Sequence, residues 1–189
     1  MTRHLSVTAL LVLAACSPAP SQQQSASPQT LDVLAQYAAR GDVRAAMQAA
    51  NLASTGECKA ANARWLAEYE APPAKGVIET LLAQPLSRRL AQETQQSAGQ
   101  LVQIMVMDKA GCLIAAESKT HDLEQSDEPK YQKTVGALRR EPLYEGTVAA
   151  PLGPVDQVSQ AVYDDKGNAI GALTLRWCPV KGGCGTVPR

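Results

Sequence analysis

LVQIMVMDKAGCLIAAES, Leu101–Ser118, is where the chain changes period. Leu101–Met107 alternates in the way a strand does, Asp108–Gly111 has the composition of a tight turn, and Cys112–Ser118 reads as the returning strand. Upstream the period is helical. Ile78, Leu81, Leu82, Leu86 and Leu90 recur near one face of a segment from Val77 to Ala98, predicting one long helix, kinked near Gln84 by Pro85, with its leucine stripe packed on a sheet. APPAKG (71–76) separates it from an Ala-rich helical stretch, Leu31–Glu70, which Gly41 and TGEC (55–58) divide into short helices. Downstream, THDLEQSDEPKYQKT (120–134) leads into a helix expected to run to about Arg140. Three strand candidates follow: LYEGTVAA from Leu143, VDQVSQAVYD from Val155 and NAIGALTLRW from Asn168, the last two joined by the turn DDKGN. The simplest way to bury this order is an α+β fold: one five-stranded antiparallel sheet with the long helix on one face and the crossover on the other.

The N-terminus, MTRHLSVTALLVLAACS, has Arg3 as a positive n-region, a short apolar run from Leu5 to Leu13 and small residues before Cys16. It reads as a secretory signal over 1–15, since a bilayer span needs about 20 apolar residues. LAAC, Leu13–Cys16, resembles the lipobox of bacterial lipoproteins, which implies a diacylglyceryl group on Cys16 and a membrane anchor that does not span. Ser17 after the cysteine implies the periplasmic face of the outer membrane. Residues 16–30 are rich in Ser, Gln and Pro and are expected to form a flexible tether. The remaining boundaries are a helical extension over 31–74, a main domain over 75–178 and a C-terminal disulfide loop and tail over 179–189.

Lys plus Arg and Asp plus Glu each number 18, so loss of Arg3 with the leader leaves a charge of about minus one. There is no basic stripe and no aromatic series for base stacking, so no nucleic-acid partner is expected. With Cys16 lipidated, Cys58, Cys112, Cys178 and Cys184 form an even set consistent with two disulfides, for which three pairings exist. CPVKGGCG, Cys178–Gly185, favours a small closed loop from Cys178 to Cys184. Its spacing is not that of a CxxC redox pair, and a lone mature histidine, His121, argues against a zinc site. No nucleophile elbow, phosphate-cradling glycine loop or spaced ligand set is present. Neither an enzyme, a cofactor nor a metal is expected; His121, Asp122 and Ser118 share the letters of a catalytic triad, but adjacency in sequence is not triad geometry.

IMVMDKAGCLIAAESKTHDLEQSDEPKYQKT together with VSQAVYDDKGNAIGALTL resembles the periplasmic sensor domains called Cache or PDC domains, extracellular relatives of PAS domains. Asp108 and Gly111 match the first turn of that pattern. Thr120, Asp122, Gln125, Asp127, Glu128 and Lys130 match its central motif, and Asp165, Gly167, Ile170, Gly171 and Ala172 its closing hairpin. Leu123, Ser126 and Tyr131 stand where the family often has an aromatic residue, Gly and Trp. The resemblance implies strand order 2-1-5-4-3, which in turn places Cys112 near Cys58 and Cys178 near Cys184. It also implies a pocket between sheet and crossover.

On the residues alone, Ser126 is an N-cap, Asp127 and Glu128 complement the helix dipole, Pro129 sits in the first turn, and Lys130 and Lys133 form surface pairs. On the resemblance, His121, Asp122, Gln125, Asp127 and Tyr131 close over a small polar solute, with Tyr144 and Tyr163 as candidate walls. The expected function is non-enzymatic: an envelope-anchored lipoprotein that binds a small molecule and relays it to an envelope signalling protein. The rival expectation is an interaction lipoprotein that uses residues 31–70 as its docking surface.

Overall fold

The computed structural model describes residues 26–53, 57–71, 76–150, 153–180 and 184. The signal region, Cys16, the tether up to residue 25 and residues 185–189 lie outside the described residues. Chain order is α1 (Pro28–Ala39), α2 (Gly41–Ala53), α3 (Cys58–Glu70), α4 (Val77–Leu82), α5 (Pro85–Gln96), β1 (Leu101–Asp108), β2 (Leu113–Ala116), α6 (Pro129–Gln132), β3 (Leu143–Ala150), β4 (Gly153–Tyr163) and β5 (Ala169–Trp177). The strands form one antiparallel 5-stranded sheet in the order β2-β1-β5-β4-β3, the order that the Cache resemblance implies. No helix among the described residues is long and apolar enough to cross a membrane.

The β1–β2 hairpin closes as its turn chemistry predicts. Asp108 Oδ1 accepts the amides of Ala110 and Cys112 at 2.8 and 2.9 Å, a side-chain mimic of a backbone turn. Gly111 has φ +84°, and a Cβ there would lie 2.8 Å from Ser126, so both backbone and space require glycine.

The central strand β5 is buried along nearly its whole length, so each face of the sheet needs a cover. On the first face, Ile104, Val106, Val158, Leu173 and Leu175 meet Leu34 of α1, Val43 and Met47 of α2, and Leu90 of α5. On the second, Met105, Met107, Ala161 and Ala172 meet Trp65 of α3, Ile78 and Leu81 of α4, and Leu123 and Val135 of the crossover.

Several expectations change here. The Ala-rich segment is not an extension or a free docking surface: Leu34, Val43, Met47 and Trp65 are fully buried in the two cores. Arg40 ties it further to α5, reaching Asp42 at 2.7 Å and Glu93 at 2.6 Å. Order also begins earlier than the tether boundary at residue 30, because Ala26 and Thr30 are buried and the Ser27 hydroxyl caps the Thr30 amide at 3.1 Å.

The long helix is two helices. Pro85 opens α5 at its first position, with Gln84 extended before it, and this breaks rather than kinks the chain. The leucine stripe does pack on the sheet, but its halves serve different faces: Leu86 and Leu90 the first, Ile78 and Leu81 the second. α4 and α5 thereby straddle the edge strand β2, which protects a short edge from pairing with other chains.

The crossover helix is a single turn, α6, and its N-cap position is Glu128, not Ser126. The Ser126 amide is taken by the Glu124 carboxylate at 2.9 Å, and Leu138, at φ +50°, ends the turns that follow α6.

Two disulfides close the structure, Cys58–Cys112 with Cα atoms 5.9 Å apart and Cys178–Cys184 at 5.6 Å. The second lies beside the start of β1, where the Cys178 and Cys184 amides donate to the carbonyls of Gln100 and Gly99.

Because α1 and α2 are part of the core, Leu34→Ala and Met47→Ala are each expected to cost about 2–5 kcal/mol in urea unfolding. Values near zero would mean that residues 31–53 are a detachable extension after all.

Candidate functional site

The second face of the sheet is apolar toward the β1–β2 turn and polar toward the opposite end. Strand pairing sets Gln157 beside Arg176 and Ser159 beside Thr174 across β4 and β5. Glu145 of β3 accepts from the Gln157 amide at 2.9 Å and the Ser159 hydroxyl at 3.1 Å. Ser159 also bonds Thr174 at 2.9 Å, and Arg176 Nε donates to Gln157 Oε1 at 2.8 Å. Ser159 and Thr174 are fully buried.

Lys130 belongs to α6, which packs against β4 and β5, and lies within electrostatic reach of Glu145 and Arg176. It is 7% exposed, against the expectation of a surface pair, and its ammonium reaches Glu128 at 3.6 Å. Burial pulls its pKa below the ordinary lysine value, Glu128 and Glu145 oppose that shift, and Arg176 adds to it. Lys130 and Arg176 are thus two cations within electrostatic reach of each other, with Glu145 also in reach of Lys130.

Glu117, half-buried at the end of β2, also feels Arg176. Its carboxylate accepts the Ile104 amide at 2.7 Å and the Ser118 hydroxyl. Desolvation outweighs these bonds and raises its pKa to about 7.

The residues expected to close over a solute are spread around the crossover. His121 and Asp122 pair at 2.9 Å on the outer surface, where His121 is 67% exposed, and Asp122 holds the imidazole pKa above its usual value. Gln125 is buried but committed to the loop: its side-chain amide donates to the Asp122 carbonyl at 2.6 Å and its backbone amide to Gly111. Asp127 points to solvent. Tyr131 packs on the second face and donates to the Lys109 carbonyl at 2.6 Å; burial is the first cause of its raised pKa. Tyr163 is at the rim of the same face, bonded to the Arg139 carbonyl at 3.1 Å with the Arg140 guanidinium 4.4 Å above its ring. Tyr144 is on the other face, against the first core, with its hydroxyl 3.2 Å from Asp156.

The segment leading into α6 is fastened along one side of α3. Besides the disulfide from Cys58, Asn62 Oδ1 accepts the amides of Leu123 and Glu124 at 2.8 and 3.1 Å. Trp65 Nε1 donates to the Thr120 carbonyl at 2.9 Å, and Tyr69 meets the His121 ring at 5.2 Å and the Lys119 ammonium at 4.4 Å. Positions 58, 62, 65 and 69 share one helical face.

Glu145, Gln157, Ser159, Thr174 and Arg176 were missed in the sequence as site residues. A signal was present: polar residues at spacing two within otherwise apolar strands put a polar strip on one buried face.

The strand order and the crossover between β2 and β3 give the chain a mixed fold of helices and one five-stranded antiparallel sheet. Among solved structures, it is similar to the ligand-binding domain of the Campylobacter jejuni chemoreceptor Tlp3 in complex with 4-methylisoleucine, at 14% identity and TM-score 0.38, covering 79% of this chain and 58% of that one. The same domain in complex with L-valine matches at 14% identity and TM-score 0.38, covering 81% and 64%. The sensor domain of the V. cholerae histidine kinase DctB matches at 11% identity and TM-score 0.37, covering 79% of this chain and 57% of that one. The chain therefore spans less than two thirds of the length of each of these domains. No protein-family model and no curated protein matches it.

The Glu117 carboxyl binds its proton more tightly in the folded chain than in the unfolded one. Stability is therefore expected to fall as pH rises from about 4.5 to about 7, the window between the ordinary and the raised value. Urea midpoints of Glu117→Gln against the parent at roughly pH 5 and pH 8 isolate this slope; equal slopes in both proteins would refute the assignment.

Proposed function

We propose that the domain is a non-enzymatic binding module for a small polar solute carrying a carboxylate, held between the sheet and α6. The observation that supports this reading is the buried Lys130 within electrostatic reach of Arg176 and Glu145, where Glu145 heads the buried network of Gln157, Ser159 and Thr174. Burying a lysine without a close bidentate partner is costly, and an arriving carboxylate would offset that cost. Glu145 and the two hydroxyls would take the solute's donors. In the present arrangement Lys130 lies on the patch, so binding goes with an outward shift of α6. His121, Asp122 and Asp127 have no part in the contact.

In this reading the chain is a lipoprotein, tethered through Cys16 to the periplasmic face of the outer membrane, and it relays occupancy to a partner protein in the envelope. The lipobox-like LAAC supports the anchor.

A thermal-shift panel of small carboxylates, amino acids and amines on the chain from Ser17 onward tests the site. A ligand at 100 times its dissociation constant adds about 2.7 kcal/mol, several degrees of melting temperature. Lys130→Met and Arg176→Gln are each expected to weaken the hit about tenfold or more, and Asp122→Ala to leave it unchanged. A hit that survives both first substitutions and is lost in the third would return the site to the outer surface of the crossover.

A further inference from the structure

A cleft of about 400 Å³ lies away from the crossover patch, lined by Glu68 of α3, Gly76, Ile78, Glu79 and Leu82 of α4, Ala83, Arg88 of α5 and Lys119. Its construction is specific. The Glu68 carboxylate accepts the Val77 and Ile78 amides at 3.0 and 3.1 Å, capping α4 from the neighbouring helix. That close approach needs Gly76, where a Cβ would lie 2.2 Å from Glu68 Oε2. Glu68 is therefore committed to the wall.

The floor is hydrocarbon from Ile78, Leu82 and Ala83, left partly open because α4 and α5 part at Ala83–Gln84 to reach opposite faces of the sheet. The rim carries Arg88 and Lys119, neither of which has a carboxylate within ion-pair distance among the described residues. Lys119 is instead positioned over the Tyr69 ring. Glu79 is the one rim carboxylate not committed to backbone amides.

An apolar floor edged by two cations without a carboxylate partner fits an amphiphile with an anionic head. We propose that this cleft binds a single-chain aliphatic carboxylate, its chain on Ile78, Leu82 and Ala83 and its head between Arg88 and Lys119. The cleft size is within the range of small-molecule sites. This site is independent of the crossover patch, and either reading survives failure of the other.

The test is calorimetric titration of the chain from Ser17 onward with octanoate, decanoate and dodecanoate below their micellar concentrations, with dodecyl alcohol as the uncharged control. Each added methylene is expected to tighten binding about fourfold, the equivalent of about 0.8 kcal/mol of buried CH₂, and the alcohol to bind at least tenfold more weakly than dodecanoate. Arg88→Glu with Lys119→Glu should weaken dodecanoate at least tenfold, and Ala83→Leu should weaken it by filling the floor. Both changes are at exposed positions, and circular dichroism verifies the fold. Amide shifts on dodecanoate addition should map to 76–88 and Lys119. Absence of binding, affinity unchanged in both variants, or shifts centred on Lys130, Ser159 and Thr174 would overturn the proposal.

Discussion

A central strand without a solvent face obliges a chain of this size to provide two covers, and that constraint organises everything around β5. Its residues alternate between two cores, Leu173 and Leu175 on one side and Ala172 and Thr174 on the other. With no phenylalanine in the sequence, neither core can be filled by a few large rings. The covers have to bring aliphatic area in quantity, which is why three helices lie on the first face. The break between α4 and α5 follows from the same demand: a single straight helix at the β2 edge would seal one face only, whereas two short helices meeting at Gln84–Pro85 reach both.

The second face is where the fold departs from economy. Covering β5 with residues as apolar as those of the first face would have been simpler than placing Ser159, Thr174, Gln157 and Arg176 there under Lys130. Each buried hydroxyl or amide needs a partner, and the network through Glu145 provides them in sequence from β5 to β3. Such a network is specific about what it accepts in addition, because a group brought into it must satisfy the same donors and acceptors. Lys130 is the member least completely served, with its carboxylate partner at 3.6 Å, longer than a close charge-assisted hydrogen bond.

What could be read in the sequence was what is local. Met105–Val106–Met107 followed by DKAG carries both the strand period and the turn chemistry, and the hairpin forms where those signals place it. The same is true of DDKGN before β5. Pro85 was legible as an interruption but not as a boundary, since choosing between a kink and a new helix depends on what each half buries. Lys130 was misread for a related reason: in SDEPKYQK every charge has the pattern of a solvated helix start, and only the strip of Gln157, Ser159, Thr174 and Arg176 below decides that this lysine is inside. The strip was visible as polar residues two apart in apolar strands, but its meeting with Lys130 depends on a crossover that no local pattern specifies. Leu34, Val43 and Met47 show the same limit, because helical period marks an apolar face without saying whether it meets the sheet or another protein.

The strap that leads into α6 is bonded to α3 on one side and to the β1–β2 hairpin on the other, and this limits how α6 can move. Between Cys112 and Glu124 the strap is joined to α3 at Cys58, Asn62, Trp65 and Tyr69 through a covalent bond, three hydrogen bonds and a ring contact. α6 follows within a few residues and has no comparable tie to any helix. An outward shift of α6 has two ways to proceed. It can pivot about the short link from Gln125 to Glu128, leaving α3 in place, or it can pull through the strap and carry α3 with it. The first keeps every bond to α3 and also the bonds that hold Gln125 to Asp122 and Gly111. The second breaks none of the α3 ties, but it works against the bonds from the strap to the hairpin, Leu113 to Leu123 and Gln125 to Gly111, and against the fully buried Trp65 of α3. The bonds therefore favour the pivot, in which α6 moves relative to a strap that α3 and the hairpin hold in place.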